Sequence, residues 1–132
     1  MEISDNQYCF VCGQDNPVGF KTNIEVDRDK QSAHCTLAVS AEYQGWKGMV
    51  HGGIISALLD EVSAYAGMIV GDTVVTAELT TRFHKSVPVG QEINVSAQVV
   101  KQARRVVMVE AKLTMQGELL ASSEAKMMVV RA

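Results

Sequence analysis

The second half of the chain alternates apolar and polar side chains with a period of two residues. Four stretches show this pattern: residues 75–84, 93–99, 107–115 and 121–127. Such alternation is typical of strands with one face against a core and one wetter face. The breaks at residues 88–90, 101–105 and 116–118 leave room only for hairpin-type links, so the pattern predicts antiparallel strands.

The first half of the chain predicts two shorter strands and one long helix. The strands lie near residues 23–27 and 34–39, after an irregular, cysteine-bearing lead-in over residues 1–22. Residues 53–69 are apolar nearly all round a helix, so we expect that helix to be buried. Together these elements predict an α+β fold in which a curved antiparallel sheet packs on one central helix.

A narrow polar stripe runs along the predicted helix. At 100° per residue the stripe spans about 60°, and it contains Ser56, Asp60, Ser63 and Gly67. Glu61 lies about 100° further round the helix. Because a buried carboxylate is expensive unless it is paired or chemically active, Asp60 is the first candidate functional residue.

Composition supports one sheet-rich domain over residues 1–132. The length is that of a single domain, and 47% of the residues are hydrophobic, which is enough for a packed core. Nineteen valines and six isoleucines outnumber the seven leucines, and β-branched side chains favour sheet over helix.

Charge and cysteine usage exclude several classes of partner. The net charge of −3 argues against general affinity for nucleic acid. No charge-free apolar span reaches the roughly 18 residues that cross a membrane, and the acidic N-terminus lacks the basic and apolar regions of a signal peptide. An odd count of three cysteines without an export signal predicts a reduced, cytoplasmic protein.

The strongest chemical signal is His51-Gly52-Gly53 at the start of the helix that carries Asp60. Free N–H groups at a helix N-terminus favour negative charge, and glycine lets a ligand carbonyl approach the backbone closely. Such donors polarise a carbonyl and stabilise an oxyanion. A nearby carboxylate can act as a base toward water or as a nucleophile, so the pair indicates acyl transfer or hydrolysis. Gly52-Gly53 alone would fit a tight loop-to-helix turn equally well.

The spacing of these residues predicts a dimer. Gly52 and Asp60 are eight residues apart, which is about 12 Å along a helix at ~1.5 Å per residue. Both cannot touch one carbonyl from the same chain. If both serve one site, a second copy of the helix must supply one of them.

Two segments of the chain resemble the hotdog-fold acyl-CoA thioesterases, and in particular the group related to the phenylacetate-pathway thioesterase (PaaI-like). They are Gly45-Trp46-Lys47-Gly48-Met49-Val50-His51-Gly52-Gly53 and Leu58-Leu59-Asp60-Glu61. The segments at 9–13, 16–19 and 83–90 also recur in relatives of this group. The resemblance covers roughly residues 9–130.

The resemblance implies a sheet wrapped around a central helix, and two chains that pair into one continuous sheet with two interfacial sites. It implies that the Gly52 amide polarises the thioester carbonyl while Asp60 activates water or attacks directly. Thr76 matches by spacing a threonine that lies close to the carboxylate in some members, although simple strand alternation puts it on the wetter face. Some relatives carry a water-orienting Asn where this chain has Gly45, next to Gln44, and Ser63 is a weak substitute.

Other residues are candidate substrate contacts. His51 either touches the thioester oxygen or braces the loop by hydrogen bonding, and bracing is the favoured interpretation. Gly53 is a candidate substrate contact, and Trp46 could line an acyl pocket. Five basic residues could hold coenzyme A phosphates, although solvated surface charge is the default for each: Lys47, Arg82, Lys85, Arg104 and Arg105. For Tyr65, packing in the core is a more plausible role than lining an acyl pocket.

The cysteines raise the question of a metal. Cys9-x-x-Cys12 with the distant Cys35 suggests zinc, but a four-ligand site would need a partner such as His34, and the expected second motif is missing. Two buried thiols are therefore the favoured interpretation, with no metal site. Thioester hydrolysis itself requires no metal or redox cofactor.

Two alternative functions are open at this point. A hotdog fold can serve as a non-catalytic acyl-CoA-binding module, although a buried stripe carboxylate favours an enzyme. A hotdog dehydratase that acts on a hydroxyacyl thioester usually pairs a His and an acid differently. The residues indicate neither the identity of the acyl group nor whether dimers pair into tetramers.

Overall fold

The computed structural model describes residues 3–69 and 73–130. Strands β1 (Glu25–Asp27) and β2 (Ser32–Ala38) and a short 3-10 helix (Ala41–Tyr43) precede helix α1 (Gly52–Gly67). Four longer strands follow: β3 (Val74–Phe83), β4 (Glu92–Gln102), β5 (Val106–Met115) and β6 (Glu118–Val129). The prediction of several strands and one long helix is confirmed.

All paired strands are antiparallel and form one sheet in the order β1-β2-β4-β5-β6-β3. The link from β5 to β6 is a two-residue turn in which Gln116 and Gly117 both have positive φ. This backbone suits the twist of a tight hairpin. The predicted hotdog architecture, a curved sheet packed on one helix, is confirmed.

The core lies between the helix and the concave face of the sheet. Its fully buried side chains come from α1 and from the three central strands, and they include Leu58, Leu59, Val62, Ile93, Val95, Val107, Val109, Leu113, Ala121, Ala125 and Met127. In β4 and β5, and in β6 from Ala121 to Met127, the buried positions alternate as the sequence predicts. Since burial of each large aliphatic side chain stabilises by about 1.5–3 kcal/mol, this layer fixes α1 against the sheet.

The helix bounds differ from the predicted 53–69. The helix begins at Gly52, because His51 caps it, and it ends at Gly67. The Met68 amide donates to the Ala64 carbonyl and the Ile69 amide donates to the Ala66 carbonyl, which tightens the last turn. A Cβ at Gly67 would lie 3.1 Å from the Met127 sulfur, so the last residue of the helix packs closely on β6.

The N-terminal segment is a series of turns that pack on the sheet and helix. Val11 is buried, and the Phe20 and Thr22 amides donate to the carbonyls of Phe10 and Val11. The Tyr43 hydroxyl donates to the Val18 carbonyl at 2.6 Å. These bonds hold the segment against the domain.

Among the described residues, no helix is both long enough and apolar enough to cross a membrane.

Candidate active site

The start of α1 is held by the His51 side chain. Its Nδ1 accepts a hydrogen bond from the Gly53 amide at 2.9 Å, and its backbone carbonyl accepts from Ile54 and Ile55. Because Nδ1 is the acceptor, the ring proton of a neutral His51 is on Nε2. This geometry matches the bracing interpretation, and it occupies the Gly53 amide that was a candidate substrate contact.

The Gly52 amide is the unoccupied donor of this helix end. No acceptor is bonded to it in the described part of the chain, and N–H groups in the first turn of a helix lack intrahelical partners. Gly52 lines a groove of about 770 Å³. The helix dipole adds to the positive potential there, so this amide can polarise a carbonyl that enters the groove.

The loop before the helix forms one wall of this groove. Gln44 accepts a hydrogen bond from the Gly48 amide at 3.0 Å and so holds the loop closed. A Cβ at Gly45 would lie 3.4 Å from the His51 Cα, within van der Waals contact, so this part of the loop lies against the cap residue. Trp46, 82% exposed, stands at the rim of the groove.

The second component is Asp60, two turns further along α1. The Thr76 hydroxyl on β3 donates to Asp60 Oδ1 at 2.6 Å. Asp60 is partly buried while Thr76 is exposed. The bond fixes one carboxylate oxygen and leaves the other available for a water or a substrate.

A β-bulge brings Thr76 to the helix side of the sheet, which corrects its predicted place on the opposite face. The register of β3 against β6 shifts between Thr76 and Glu78, so Ala77 is an extra residue. Thr76 is opposite Met127, which is fully buried, and opposed residues share a face. One inserted residue reverses the alternation, so Thr76 points toward α1 as Leu79, Thr81 and Phe83 do.

The polar stripe of α1 therefore faces the edge strand β3. Ser56 Oγ donates to Thr81 Oγ1 at 3.3 Å, one turn before the Asp60–Thr76 pair. A Cβ at Gly52 would lie 3.5 Å from the Phe83 ring. This ring was not singled out from the sequence, because in the alternation of β3 it resembles any other inward residue.

The remaining predicted substrate-binding residues lie in different parts of the structure. Lys85 lines the Gly52 groove, and its ammonium pairs with the Glu118 carboxylate at 2.6 Å. Arg82 lines a second groove, of about 790 Å³, which does not include Gly52. Ser63 is fully buried, and its hydroxyl has no hydrogen-bond partner in the part of the chain that the structure describes.

Glu61 contacts the N-terminal cysteines instead of the stripe. Cys9 Sγ is 3.6 and 3.7 Å from the two Glu61 carboxylate oxygens. The donor atoms of Cys9, Cys12 and Glu61 all lie within 4.8 Å of one another, and they are the one such group of metal-ligand type in the described ranges. His34, the fourth ligand suggested by the sequence, is 3.3 Å from Glu25 on the exposed surface of β2.

Burial makes two of the thiols poor nucleophiles. Desolvation, with the Glu61 carboxylate nearby, raises the pKa of Cys12 to about 12 and that of Cys35 to about 11. Burial also raises the pKa of Tyr65, whose hydroxyl is beside the Cys12 thiol. A thiol with a raised pKa stays protonated at neutral pH, and therefore Cys12 and Cys35 do not offer a thiolate for acyl transfer.

Comparison with known proteins gives one family. A model of the thioesterase superfamily matches residues 47–122, which include the helix, its cap and the Asp60–Thr76 pair. The acyl-coenzyme A thioesterase THEM4 of Bos taurus is 26% identical over 116 residues, which cover 88% of this chain and 48% of the relative. The chain thus spans about half the length of the curated relative it matches.

Two solved structures are similar over most of the chain. A thioesterase superfamily protein has a TM-score of 0.85 and 26% identity, and the match covers 94% of this chain and 61% of that one. The phenylacetic acid degradation-related protein of Ralstonia eutropha has a TM-score of 0.76 and 26% identity, with 83% and 85% covered.

Proposed function

Since the chain belongs to the thioesterase superfamily, we propose that it hydrolyses acyl-coenzyme A thioesters to a free acid and coenzyme A. One observation carries the proposal. The unoccupied Gly52 amide faces a groove, and Asp60, held by Thr76, lies on the same side of the same helix. The similarity to a protein named as an acyl-coenzyme A thioesterase supports coenzyme A as the thiol.

The chemistry needs an electrophile and an activated oxygen. The Gly52 N–H polarises the thioester carbonyl and stabilises the oxyanion that forms. In the water route, Asp60 takes a proton from the attacking water, a C–O bond forms, the C–S bond breaks, and the proton passes to the departing sulfur. In the direct route, an Asp60 oxygen attacks the carbonyl carbon and the C–S bond breaks to release the thiolate. Water then cleaves the resulting mixed anhydride, which releases the free acid and restores the Asp60 carboxylate. A thiol pKa near 8.5 makes the thiolate a good leaving group, so neither route requires a metal or redox cofactor.

Thr76 acts as a positioning residue in this proposal. Its hydroxyl donates to Oδ1 of Asp60, so that the second oxygen, Oδ2, points to the reacting centre. A hydrogen bond to a charged group contributes about 1.5–3 kcal/mol, which is enough to hold one carboxylate rotamer.

The proposed enzyme is a homodimer with sites at the subunit interface. Within the described part of the chain, strand β3 lies at the sheet edge with β6 as its neighbour, and such an edge of 10 residues can accept another strand. If two β3 strands paired antiparallel about their middle, Thr76 of each chain would lie opposite Thr81 of its partner, two residues from the partner's Phe83. Asp60 of one chain would then serve the carbonyl polarised by Gly52 of the other, which resolves the roughly 12 Å gap along the helix.

The groove suggests how the substrate binds. Its apolar lining, from Trp46, Met49 and Phe83, suits the acyl chain or the pantetheine arm, and Lys85 at its edge suits a phosphate. Because the chain carries a net charge of −3, electrostatic binding of the coenzyme A phosphates must come from such local cations. Three unpaired cysteines favour a reducing compartment, so we place this enzyme in the cytoplasm.

A thiol-release assay over a graded panel of acyl-CoA esters tests the function. We expect thiol release, in equal amount to free acid, to depend on enzyme concentration for at least one class among short aliphatic, long aliphatic and aryl thioesters. Tight binding of the esters without release would instead identify a binding module. Formation of an enoyl product from hydroxyacyl-CoA would identify a dehydratase, and either result would refute the proposal.

A further inference from the structure

The N-terminal segment brings two thiols against a carboxylate of α1, away from the Gly52 groove. Cys9 and Cys12 come from a tight turn, and Glu61 comes from the flank of the helix. All three residues are partly buried, and their donor atoms lie within 4.8 Å of one another. The contact joins residues 52 positions apart in the chain. None of the three lines the groove at Gly52.

The turn around Cys9 fixes the position of its sulfur. The Val11 and Cys12 amides both point at Cys9 Sγ, at 3.4 and 3.5 Å. The Gly13 amide closes the turn on the Cys9 carbonyl at 2.9 Å. A Cβ at Gly13 would lie only 2.4 Å from the Cys9 nitrogen, so this tight path requires glycine. Two amides that point at one sulfur stabilise a thiolate more than a neutral thiol, because a neutral thiol is a weak hydrogen-bond acceptor.

We propose that Cys9, Cys12 and Glu61 bind one thiophilic divalent cation of the zinc class, whose binding displaces the protons of the two thiols. With Zn–S near 2.3 Å and Zn–O near 2.0–2.2 Å, a tetrahedral ion separates its sulfur and oxygen ligands by roughly 3.5 Å. The Cys9 sulfur lies 3.6 and 3.7 Å from the two Glu61 oxygens, so little movement is needed to admit the ion.

The donor set also selects the metal. Thiolates favour zinc over magnesium or calcium, which prefer oxygen ligands throughout. A cation would compensate the Glu61 carboxylate, which otherwise faces two thiols and a tyrosine hydroxyl in a partly buried site. Three protein donors leave one position for a water. This assignment revises the interpretation of the cysteines as two plain buried thiols, because Glu61 supplies the ligand that the sequence did not reveal.

The ion would fasten the N-terminal segment to α1 beside the catalytic residue. Glu61 follows Asp60 directly but points about 100° away round the helix, so the metal does not reach the water or the thioester. We therefore assign it a structural role. A metal that binds only the folded state raises its stability, so zinc should raise the melting temperature.

Metal titration of the chelator-treated, reduced protein tests the site. We expect one Zn²⁺ per chain and, with Co²⁺ as a probe, the charge-transfer absorption of thiolate-bound cobalt. Cys9→Ser and Cys12→Ser should each abolish or strongly reduce that absorption, and Glu61→Gln should weaken Zn²⁺ binding by at least about 100-fold. Cys35→Ser is the matched control, because Cys35 is a buried thiol outside the group of three ligands. It should bind both metals like the parent.

If a variant fails to fold, measurements on the parent protein alone still test whether the site binds a metal. A parent that binds no stoichiometric Zn²⁺, shows no thiolate–cobalt absorption and melts at the same temperature with and without zinc would overturn the proposal. Equal loss of binding in Cys35→Ser and Cys9→Ser would also overturn this choice of ligands. Because these readouts do not involve turnover, their outcome is independent of the proposed hydrolysis.

Discussion

Asp60→Asn should lower kcat/KM for acyl-CoA hydrolysis by about 10²- to 10⁴-fold, the usual contribution of a general base. The amide has nearly the same shape and can still accept the hydrogen bond that Thr76 donates to the carboxylate at 2.6 Å. It can neither take a proton from water nor attack a carbonyl. The measurement is the initial rate of thiol release on whichever acyl-CoA the parent hydrolyses best.

Glu110→Gln provides the matched control for this loss. It makes the same carboxylate-to-amide change at an exposed position of β5, away from the helix, and should leave the rate within about twofold of the parent. Both variants should retain the native circular dichroism spectrum. If Asp60→Asn turns over the whole panel as the parent does, Asp60 is not the catalytic carboxylate.

Gly52→Pro should reduce kcat by about 10²- to 10³-fold, the loss measured when one oxyanion donor is removed. Proline removes the N–H of Gly52 and no other polar group. The position tolerates it, since Gly52 is the first residue of α1, where proline is common. His51 has φ −60° and ψ 136°, within the region open to a residue that precedes proline.

Gly52→Ala separates loss of the amide from steric effects. An added Cβ would lie 3.5 Å from the Phe83 ring, an ordinary van der Waals contact, and alanine keeps the N–H. We expect the alanine variant to be far more active than the proline variant under saturating substrate. Equal activity of the two would exclude the Gly52 amide as the oxyanion donor.

Much of the fold could be predicted because the spacing of apolar residues in the sequence follows which positions are buried. In β4 and β5, and in β6 from Ala121 to Met127, each buried position is two residues from the next, and α1 is apolar on nearly every side. The face of Thr76 could not be predicted, because a bulge at Ala77 reverses the alternation. An inserted residue of this kind depends on how two strands pair, and alanine gives no local signal for it.

In the candidate site, too, contacts between residues close in the chain could be predicted and contacts between distant residues could not. His51, Gly52 and Asp60 lie on one continuous segment, so helical geometry alone relates their positions. The contact of Cys9 with Glu61 joins residues 52 positions apart. It depends on how the irregular N-terminal turns dock on α1, for which the sequence has no periodic pattern.

In the proposed dimer, each active site combines Gly52 of one chain with Asp60 of the other. Mixed dimers, in which the two chains carry different substitutions, test this arrangement. Dimers with one Gly52→Pro chain and one Asp60→Asn chain are isolated by two different affinity tags, with a doubly tagged parent dimer as control. In such a dimer one composite site has lost both groups, and the other keeps an intact Gly52 and an intact Asp60.

We expect the mixed dimer to recover about half of the parent rate of thiol release, far above either mutant homodimer, because a two-fold interface yields two equivalent composite sites. A mixed dimer no more active than the two mutant homodimers would exclude composite sites, since it would mean that both groups act from the same chain.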